Sequence, residues 1–267
     1  MSLALTILGC GSSGGVPRVA QGWGACDPSN SRNRRRRCSL LVERAASGGK
    51  TSVLVDTSPD LREQLLDAAV ARLDGVLMTH SHADHTHGMD DLRPLVIAMC
   101  RRIDIHMDEA TSHAVRQAFG YIFETPSGSL YPPLLNDKRM TTGQPVRIDG
   151  AGGPVEALPF LLEHGEIPAL GLRFGDIAYT PDLNGIPRDS LRYLEALDLW
   201  IIDGLRYKPH PSHFSVDEAL AWIAKLRPRR AIITNLHTDL DYDELSQRLP
   251  ANVVVAYDGM RIEALAE

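Results

Sequence analysis

A short run of histidines constrains this chain more than any other feature of its sequence. Four of its ten histidines fall between His80 and His87, in the run Thr79–Gly88 (THSHADHTHG). The apolar segment Gly75–Thr79 is predicted to be a short buried strand, so the histidines are expected on a loop at a strand end. Imidazole and carboxylate groups buried without partners would be costly, whereas both are preferred ligands of Zn²⁺ and similar ions. The run therefore predicts a metal site.

Three further candidate ligands follow in order, each at or just after the end of a predicted strand. His164 follows a strand over 154–162, Asp182 follows Ile177–Thr180, and His237 follows a strand over 231–235. Functional side chains collect on loops held by such strand scaffolds. The alternative interpretation of the histidine run is a solvated surface loop, and the ordered downstream ligands argue against it.

With these ligands in place, the sequence resembles the metallo-β-lactamase-fold hydrolases over essentially the whole chain. The motif H-x-H-x-D-H and the ordered His, Asp and His downstream of it carry the resemblance. It implies an α/β fold, a four-layer αββα sandwich, formed by residues 1–267 as a single domain. Strands predominate and helices are interspersed throughout, which also favours two sheets covered by helices over separate α and β domains.

The resemblance further implies two divalent metal ions per chain, zinc or manganese, and histidine and aspartate sites of this kind also accept Fe²⁺. The implied ligands are His80, His82 and His164 for the first ion, Asp84, His85 and His237 for the second, and Asp182 as the bridge between them. Asp56, at the end of a predicted strand, matches the family's first acidic motif, which orients a ligand histidine. Asp203, which ends another buried strand, is a second candidate for an orienting role.

Three features favour phosphodiester hydrolysis within that family. The bridging position holds an aspartate, Asp182, rather than a cysteine. His213, in Pro211–Ser215 just before a predicted helix with a capping box, resembles the extra histidine of the ribonuclease Z-like and cyclic-phosphodiesterase branches, where it is a general acid. The opening Leu8–Pro17 and the ending Ala256–Met260 resemble those of the phosphoribosyl cyclic phosphodiesterases of phosphonate catabolism.

The implied reaction is hydrolysis of a small phosphate ester of a sugar or nucleotide, with a cyclic ester preferred. Two divalent ions lower the pKa of a water molecule between them, which makes hydroxide available near neutral pH to attack phosphorus in line. Asp84, as a ligand, and His213, which would protonate the leaving oxygen, are the predicted catalytic residues. For His213, a helix-capping role is the alternative.

Substrate contacts are predicted at Arg37, His87 and His210. The basic run Arg32–Arg37 is interpreted either as a solvated loop or as a phosphate clamp, because guanidinium binds phosphate in a bidentate manner. The glycines of Gly9–Gly14 formally match a dinucleotide-binding fingerprint, but more glycines follow where a helix should begin. A tight loop beside the metal site that offers backbone N–H groups to a phosphate fits them better.

Charge and cysteine content narrow the partners and the compartment. The net charge of −6 disfavours a broad nucleic-acid interface, although a local basic patch stays open. The C-x-C-x-x-C cluster that often holds a structural zinc in this branch is reduced to Cys26, so a third metal is not expected. The chain has neither a signal-peptide pattern nor a membrane-spanning apolar run, which predicts a cytoplasmic protein without a membrane partner. A homodimer stays open.

Three other functions remain as alternatives. A ribonuclease Z-like nuclease would need an arm that grips RNA, and no long insertion rich in glycine and lysine is evident. A thioester or lactone hydrolase of the glyoxalase II type would not need His213. A non-hydrolytic cofactor-biosynthesis protein is the third, because Ser58–Arg62 resembles the pyrroloquinoline-quinone biosynthesis member of the superfamily. The complete ligand set argues against this last alternative.

Overall fold

The computed structural model describes residues 3–264, which form two seven-stranded β-sheets, six α-helices and three short 3-10 helices. The strands in chain order are β1 (Leu3–Gly9), β2 (Ser39–Ala46), β3 (Gly49–Val55), β4 (Gly75–Leu77), β5 (Ile103–Met107), β6 (Leu135–Arg139), β7 (Val146–Ile148), β8 (Val155–His164), β9 (Ile167–Phe174), β10 (Ile177–Thr180), β11 (Leu199–Asp203), β12 (Arg230–Thr234), β13 (Val253–Val255) and β14 (Met260–Ala264). The α-helices are α1 (Leu61–Asp67), α2 (Ala83–Thr86), α3 (Arg93–Met99), α4 (Glu109–Phe123), α5 (Val216–Leu226) and α6 (Tyr242–Arg248). The 3-10 helices are Ser31–Asn33, Met89–Leu92 and Arg188–Leu194.

Strand order places the functional loops at one edge of each sheet. The first sheet has the order β14-β1-β2-β3-β4-β5-β6 and the second has β13-β12-β11-β10-β9-β8-β7. Strands β3 to β6 pair in parallel, as do β10 to β13, and the remaining neighbours pair antiparallel. Parallel strands end at the same edge, so the residues that follow β3 and β4, and those that follow β10, β11 and β12, are brought together.

Alternating side chains of the strands build two separate cores. In β3, Val53 and Val55 pack in the cluster between the sheets with Phe160 of β8. Leu54 points to the opposite face and packs with Leu65 of α1. This period of two is what a strand covered on both faces requires. Helices α1, α3 and α4 contribute to the outer core of the first sheet, and α5 packs against β11 and β12 of the second. The four-layer αββα sandwich predicted from the sequence is confirmed.

Helix α5 begins at the predicted capping box, which fixes the chain just after His213. The Oγ atom of Ser215 accepts a hydrogen bond from the backbone N–H of Glu218, and the Glu218 carboxylate accepts one from the backbone N–H of Ser215. Such reciprocal bonds satisfy backbone donors that a helix start otherwise leaves unpaired. The direction in which the chain enters α5 is therefore set locally, two residues after the candidate acid.

In sequence, Pro126, Gly128, Pro132 and Pro133 predict an irregular segment over 120–143, and this prediction is wrong at both ends. Helix α4 continues to Phe123, and Leu135–Arg139 forms β6, which pairs in parallel with β5. Strand β6 is an edge strand with the polar sequence LNDKR, so it lacks the apolar alternation that marks a strand in sequence. Within residues 3–264, no α-helix has both the length and the apolar character needed to cross a bilayer.

Candidate metal centre

Three imidazole rings converge between the two sheets, two from the loop that follows β4 and one from His164, the last residue of β8. The Nδ1 atom of His82 lies 3.1 Å from Nε2 of His80 and 3.1 Å from Nε2 of His164. Nitrogen ligands at about 2.0–2.1 Å from a tetrahedral ion lie about 3.3 Å from one another. The three nitrogens are therefore spaced as ligands of one cation, and they belong to the residues predicted for the first ion.

Asp56 is fully buried and orients two of the candidate ligands. Its carboxylate accepts hydrogen bonds from the backbone N–H and the Oγ atom of Thr79 and lies 2.8 Å from Nδ1 of His85. The Thr79 Oγ atom in turn lies 3.0 Å from Nδ1 of His80. Because Nδ1 of each ring is engaged, Nε2 of each ring is directed to the site. Asp56 has a left-handed φ of 61°, a conformation that aspartate tolerates better than most residues.

The ring of His164 is oriented from the second sheet in the same manner. Its Nδ1 atom lies 2.6 Å from the backbone carbonyl oxygen of Ser212, the residue that precedes His213. Burial lowers the pKa of His164, and burial together with the neighbouring His85 lowers the pKa of His80 well below its usual value. Both rings are therefore neutral near pH 7, which is the form that binds a metal ion.

Asp182 supplies the observation that tests whether these residues fit a cation. Its Oδ2 atom is buried and lies 3.0 Å from Nε2 of His85, but the two are out of hydrogen-bonding alignment and Oδ2 has no hydrogen-bond partner. Burial opposes its charge, but the adjacent His85 outweighs burial and holds the pKa of Asp182 well below its usual range. An ionised, buried carboxylate oxygen without a partner is costly unless a cation neutralises it. The side chains of His80, His85 and Asp182 lie close enough to share a cation, so the residues fit a metal site.

The other two residues predicted for the second ion are Asp84 and His237, and within residues 3–264 neither belongs to a group of side chains close enough to share a cation. Asp84 Oδ2 lies 3.7 Å from Nε2 of His85. The Nε2 atom of His237 instead lies 2.6 Å from Nη1 of Arg18, and its Nδ1 atom lies 2.7 Å from Asp239 Oδ1. Burial and the adjacent Arg18 guanidinium lower the pKa of His237. The role of His237 as a ligand therefore stays a prediction. Arg18 is a further residue of the site, and no local sequence pattern indicates it.

His213 stands at the edge of this cluster with a carboxylate behind it. Its Nδ1 atom lies 2.8 Å from Oδ2 of Asp203 and 3.6 Å from Oδ1 of Asp182, and its ring centroid lies 4.7 Å from that of His164. Burial opposes a charged imidazolium, but Asp203 outweighs burial and raises the pKa of His213 to about 9. Burial also raises the pKa of Asp203 to about 7, so the pair holds one proton between about pH 7 and pH 9. A carboxylate at Nδ1 is the arrangement that lets Nε2 act as a proton donor.

A cavity of about 520 Å³ opens beside Asp84. The glycine loop contributes Ser13 and Gly14 to its wall, at the tip of a turn closed by a 2.7 Å hydrogen bond from Gly15 N to Ser12 O. The loop therefore lies beside Asp84 at the candidate metal centre, as predicted from the sequence. The other lining residues near the ligands include Arg18, Arg37, Pro59 and Ala83.

Most arginines of the run Arg32–Arg37 form hydrogen bonds or ion pairs with other groups of the protein. Arg35 is buried and donates to the backbone carbonyl oxygen of His237 and to Asn33. Arg36 forms ion pairs with Asp67 and Asp258. Arg37 lines the cavity, but its Nε atom lies 3.1 Å from Asp60 Oδ2, so its charge is already compensated.

The two other predicted substrate contacts lie outside the ligand cluster. His87 is exposed and packs edge-on against Phe119, with ring centroids 5.5 Å apart. The ring centroid of His210 lies 5.1 Å from that of His213, and its Nδ1 atom accepts a hydrogen bond from the backbone N–H of Ser212. Their contacts with a substrate stay predictions.

Comparisons with the sequences and structures of known proteins support this architecture. The family model described as "Beta-lactamase superfamily domain" matches residues 51–235. The "Octanoyltransferase" of Porphyromonas gingivalis is 33% identical over 259 residues, which cover 95% of this chain but only 50% of that protein. A solved structure described as a new diphosphatase from the PhnP family is 33% identical with a TM-score of 0.88, covering 99% of this chain and 98% of the other. Zn²⁺-bound PqqB from Methylobacterium extorquens is 15% identical with a TM-score of 0.73, covering 97% and 99% of the two chains, which supports the fold alone. The chain belongs to the beta-lactamase superfamily, and its structure has the metallo-β-lactamase fold.

Proposed function

We propose that this protein is a metal-dependent phosphodiesterase that hydrolyses small phosphate esters of sugars or nucleotides, with His213 as the general acid. The observation that carries the proposal is the His213–Asp203 pair, joined at 2.8 Å and placed next to the candidate ligand His164. An alkoxide is a poor leaving group, so hydrolysis of an alkyl phosphodiester gains much from a positioned proton donor. A thiolate leaves readily without one, which makes thioester hydrolysis a weaker explanation of this pair.

The residues of the site divide the work between them. His80, His82 and His164 would hold one divalent ion, and Asp182 and His85, with Asp84 beside them, would hold the other. Two such ions, zinc or manganese, supply Lewis acidity and lower the pKa of a water molecule. Asp56 and Ser212 keep the ligand rings in position, because each accepts a hydrogen bond at Nδ1. Asp203 orients His213 and stabilises its protonated form, which delivers a proton to the leaving oxygen.

A small anionic substrate is favoured over a nucleic acid. Most of the basic run is engaged within the protein, by Asp60, Asp67 and Asp258 among others, so it offers little to an extended phosphate backbone. The cavity beside Asp84 has a volume suited to a sugar phosphate or a nucleotide. The similarity to a PhnP-family diphosphatase supports cleavage of a phosphorus–oxygen bond, and the cyclic ester stays the preferred substrate of this proposal.

The test combines metal analysis with two substrates. Bound metal is measured first, followed by turnover of bis(p-nitrophenyl) phosphate, whose leaving group is good, and of adenosine 2′,3′-cyclic phosphate, whose leaving group is poor. We expect His213→Ala to slow the cyclic ester about 10²–10⁴-fold and the aryl ester far less. His113→Ala, at an exposed position of α4, is the matched control. Bound metal without turnover of either ester would overturn the phosphodiesterase, and equal losses on both esters would remove His213 as the acid.

A further inference from the structure

Asn235 is a buried amide that lies among the acidic groups of the site. It follows β12, whereas Asp203 ends β11 and Asp182 follows β10. These three strands lie side by side and run in parallel, so the residues at their ends meet at one edge of the second sheet. The Nδ2 atom of Asn235 lies 3.1 Å from Oδ1 of Asp182. Its side chain therefore reaches across the end of β11 and connects two strands that do not pair with each other.

Oxygen acceptors use both N–H groups of the Asn235 amide. The Nδ2 atom donates to the backbone carbonyl oxygen of Pro181 at 3.0 Å and to Oδ1 of Asp182 at 3.1 Å. An amide nitrogen carries two hydrogens, so none is left for Nδ1 of His213, which lies 3.2 Å away. The opposite orientation of the amide would set its oxygen against two other acceptors, and the hydrogen-bond network therefore fixes which way the amide faces.

His213 faces two buried carboxylates and pairs with only one of them. Its Nδ1 atom lies 2.8 Å from Oδ2 of Asp203 but 3.6 Å from Oδ1 of Asp182. The more distant oxygen is the one that accepts a hydrogen bond from Asn235. If the Nδ1–H group of His213 moved to that oxygen, two N–H donors would crowd onto one acceptor. The amide therefore opposes a hydrogen bond between His213 and Asp182 and leaves Asp203 as the partner.

The backbone holds Asn235 in a conformation that suits asparagine. Its φ of 62° lies in the left-handed region, which asparagine adopts more readily than most residues. The backbone N–H of Leu236 donates to Cys10 O at 2.7 Å, and the carbonyl oxygen of Thr234 accepts from the backbone N–H of Gly204 at 3.1 Å. Both neighbouring residues are thus anchored, and the amide is presented to the acidic groups from a fixed position.

We propose that Asn235 is a positioning residue that directs His213 to Asp203 by occupying the competing oxygen of Asp182. This inference rests on the proposed function, since it concerns the orientation of the general acid. With Nδ1 of His213 bound to Asp203, Nε2 is the nitrogen that faces the leaving oxygen, and Asp182 keeps Oδ2 for the cation. Without the amide, the Nδ1–H group would be shared between two carboxylates, and the ring would lose its single orientation.

Asn235→Gly removes the amide and keeps the backbone conformation, because glycine adopts positive φ without strain. At saturating metal, we expect kcat on adenosine 2′,3′-cyclic phosphate to fall about 10–100-fold and kcat on bis(p-nitrophenyl) phosphate to fall far less, since only the first needs a proton donor. Ala69→Gly, at an exposed residue with a φ of 50°, is the matched control. Equal losses on both esters would show that Asn235 supports only the metal ligand Asp182 and would overturn the inference.

A double-mutant cycle with Asp203→Asn tests whether Asn235 acts through the His213–Asp203 pair. If it does, Asn235→Gly should cost little on the cyclic ester in a protein that already carries Asp203→Asn, because the pairing it protects is already lost. Losses that multiply in the double variant would instead mean that the two residues act independently, and the proposed role would be wrong.

Proton NMR of the zinc-loaded protein separates this inference from the proposed function, because it requires no turnover. A proton held between an imidazole nitrogen and a carboxylate resonates at low field, and the His213–Asp203 and His85–Asp56 pairs, both 2.8 Å long, should each give such a signal. The signal that His213→Ala abolishes is that of His213. In Asn235→Gly it should move or vanish, while the His85 signal stays as an internal reference.

The two proposals can then fail separately. If the wild-type protein hydrolyses neither ester, the phosphodiesterase proposal fails, while a change confined to the His213 signal in Asn235→Gly still supports the role of Asn235. If both esters are hydrolysed but the His213 signal is the same in Asn235→Gly as in the wild type, the role of Asn235 fails and the phosphodiesterase stands.

Discussion

The Nδ1 atom of His213 lies 2.8 Å from Oδ2 of Asp203, a fully buried carboxylate at the end of β11. Replacing this carboxylate by an amide removes the charge that stabilises the imidazolium and allows the wrong ring tautomer. A general acid typically increases the rate about 10²–10⁴-fold. We therefore expect Asp203→Asn to lose much of this increase in kcat on adenosine 2′,3′-cyclic phosphate. The measurement is kcat for this ester and for bis(p-nitrophenyl) phosphate, with Asp176→Asn at an exposed position as control. An Asp203→Asn variant with wild-type kcat on the cyclic ester would contradict the pairing.

Asp56 should act on metal affinity rather than on the chemical step. Its carboxylate orients His85 directly and His80 through Thr79, so Asp56→Asn would leave both rings poorly positioned. Loss of such an orienting partner typically weakens metal binding about 10–100-fold. Competition with a chromogenic chelator measures the affinity, and excess metal should restore most of kcat. Wild-type metal retention in this variant would show that the rings are held by other contacts.

Removal of metal should affect both activity and stability. Without a cation, the buried Asp182 oxygen has no hydrogen-bond partner to offset its burial. A ligand at about 100 times its Kd stabilises the folded state by about 2.7 kcal/mol, which corresponds to a shift in Tm of about 5–10 °C for a chain of this size. Thermal unfolding before and after chelation, and after addition of Zn²⁺ or Mn²⁺, measures the effect. Full hydrolytic rate in protein freed of metal would refute the metal-dependent mechanism.

Gly88, which ends the histidine run, permits a close approach of two backbone segments. A Cβ atom at this position would lie 1.9 Å from the carbonyl oxygen of Ser58, and the backbone N–H of Gly88 donates to Thr57 O at 2.9 Å. Because the obstacle is backbone, Gly88→Ala should destabilise the protein by about 1–3 kcal/mol or more. Denaturant unfolding measures this, and Gly120→Ala, where a Cβ atom would meet nothing within 4 Å, is the control. Equal stability of the two variants would contradict this packing.

The sequence predicts the parts of the site that follow strands. His164, Asp182 and Asp203 each lie at or near the end of an apolar segment. The strands β8, β10 and β11 run in the same direction, because β8 and β10 both pair antiparallel with β9 and β10 pairs in parallel with β11, so these ends lie at one edge of the sheet. The sandwich could be anticipated for the same reason, since apolar periodicity reports burial on the faces of a sheet. Strand β6 could not be anticipated, because its polar sequence LNDKR lacks this apolar periodicity.

Contacts between distant loops could not be read from spacing. Arg18 and His237 are 219 residues apart, and no local pattern indicates that a guanidinium after the glycine loop meets that imidazole. In sequence, the run Arg32–Arg37 resembles a phosphate clamp because no acidic residue stands within it. Its partners Asp60 and Asp258 come from other parts of the chain and meet it only in the fold. Local periodicity therefore locates the candidate ligands, whereas only the folded structure shows which basic side chains already pair with a carboxylate.

The candidate ligands come from both halves of the sandwich, with His80, His82 and His85 beyond β4 of the first sheet and His164 and Asp182 on the second. A bound ion would therefore cross-link the two halves of the protein in addition to supporting hydrolysis. Metal content then becomes a diagnostic for variants far from the centre. A substitution that lets the halves drift apart should yield metal-depleted protein, whereas one that impairs only proton transfer should yield inactive protein with its full complement of metal.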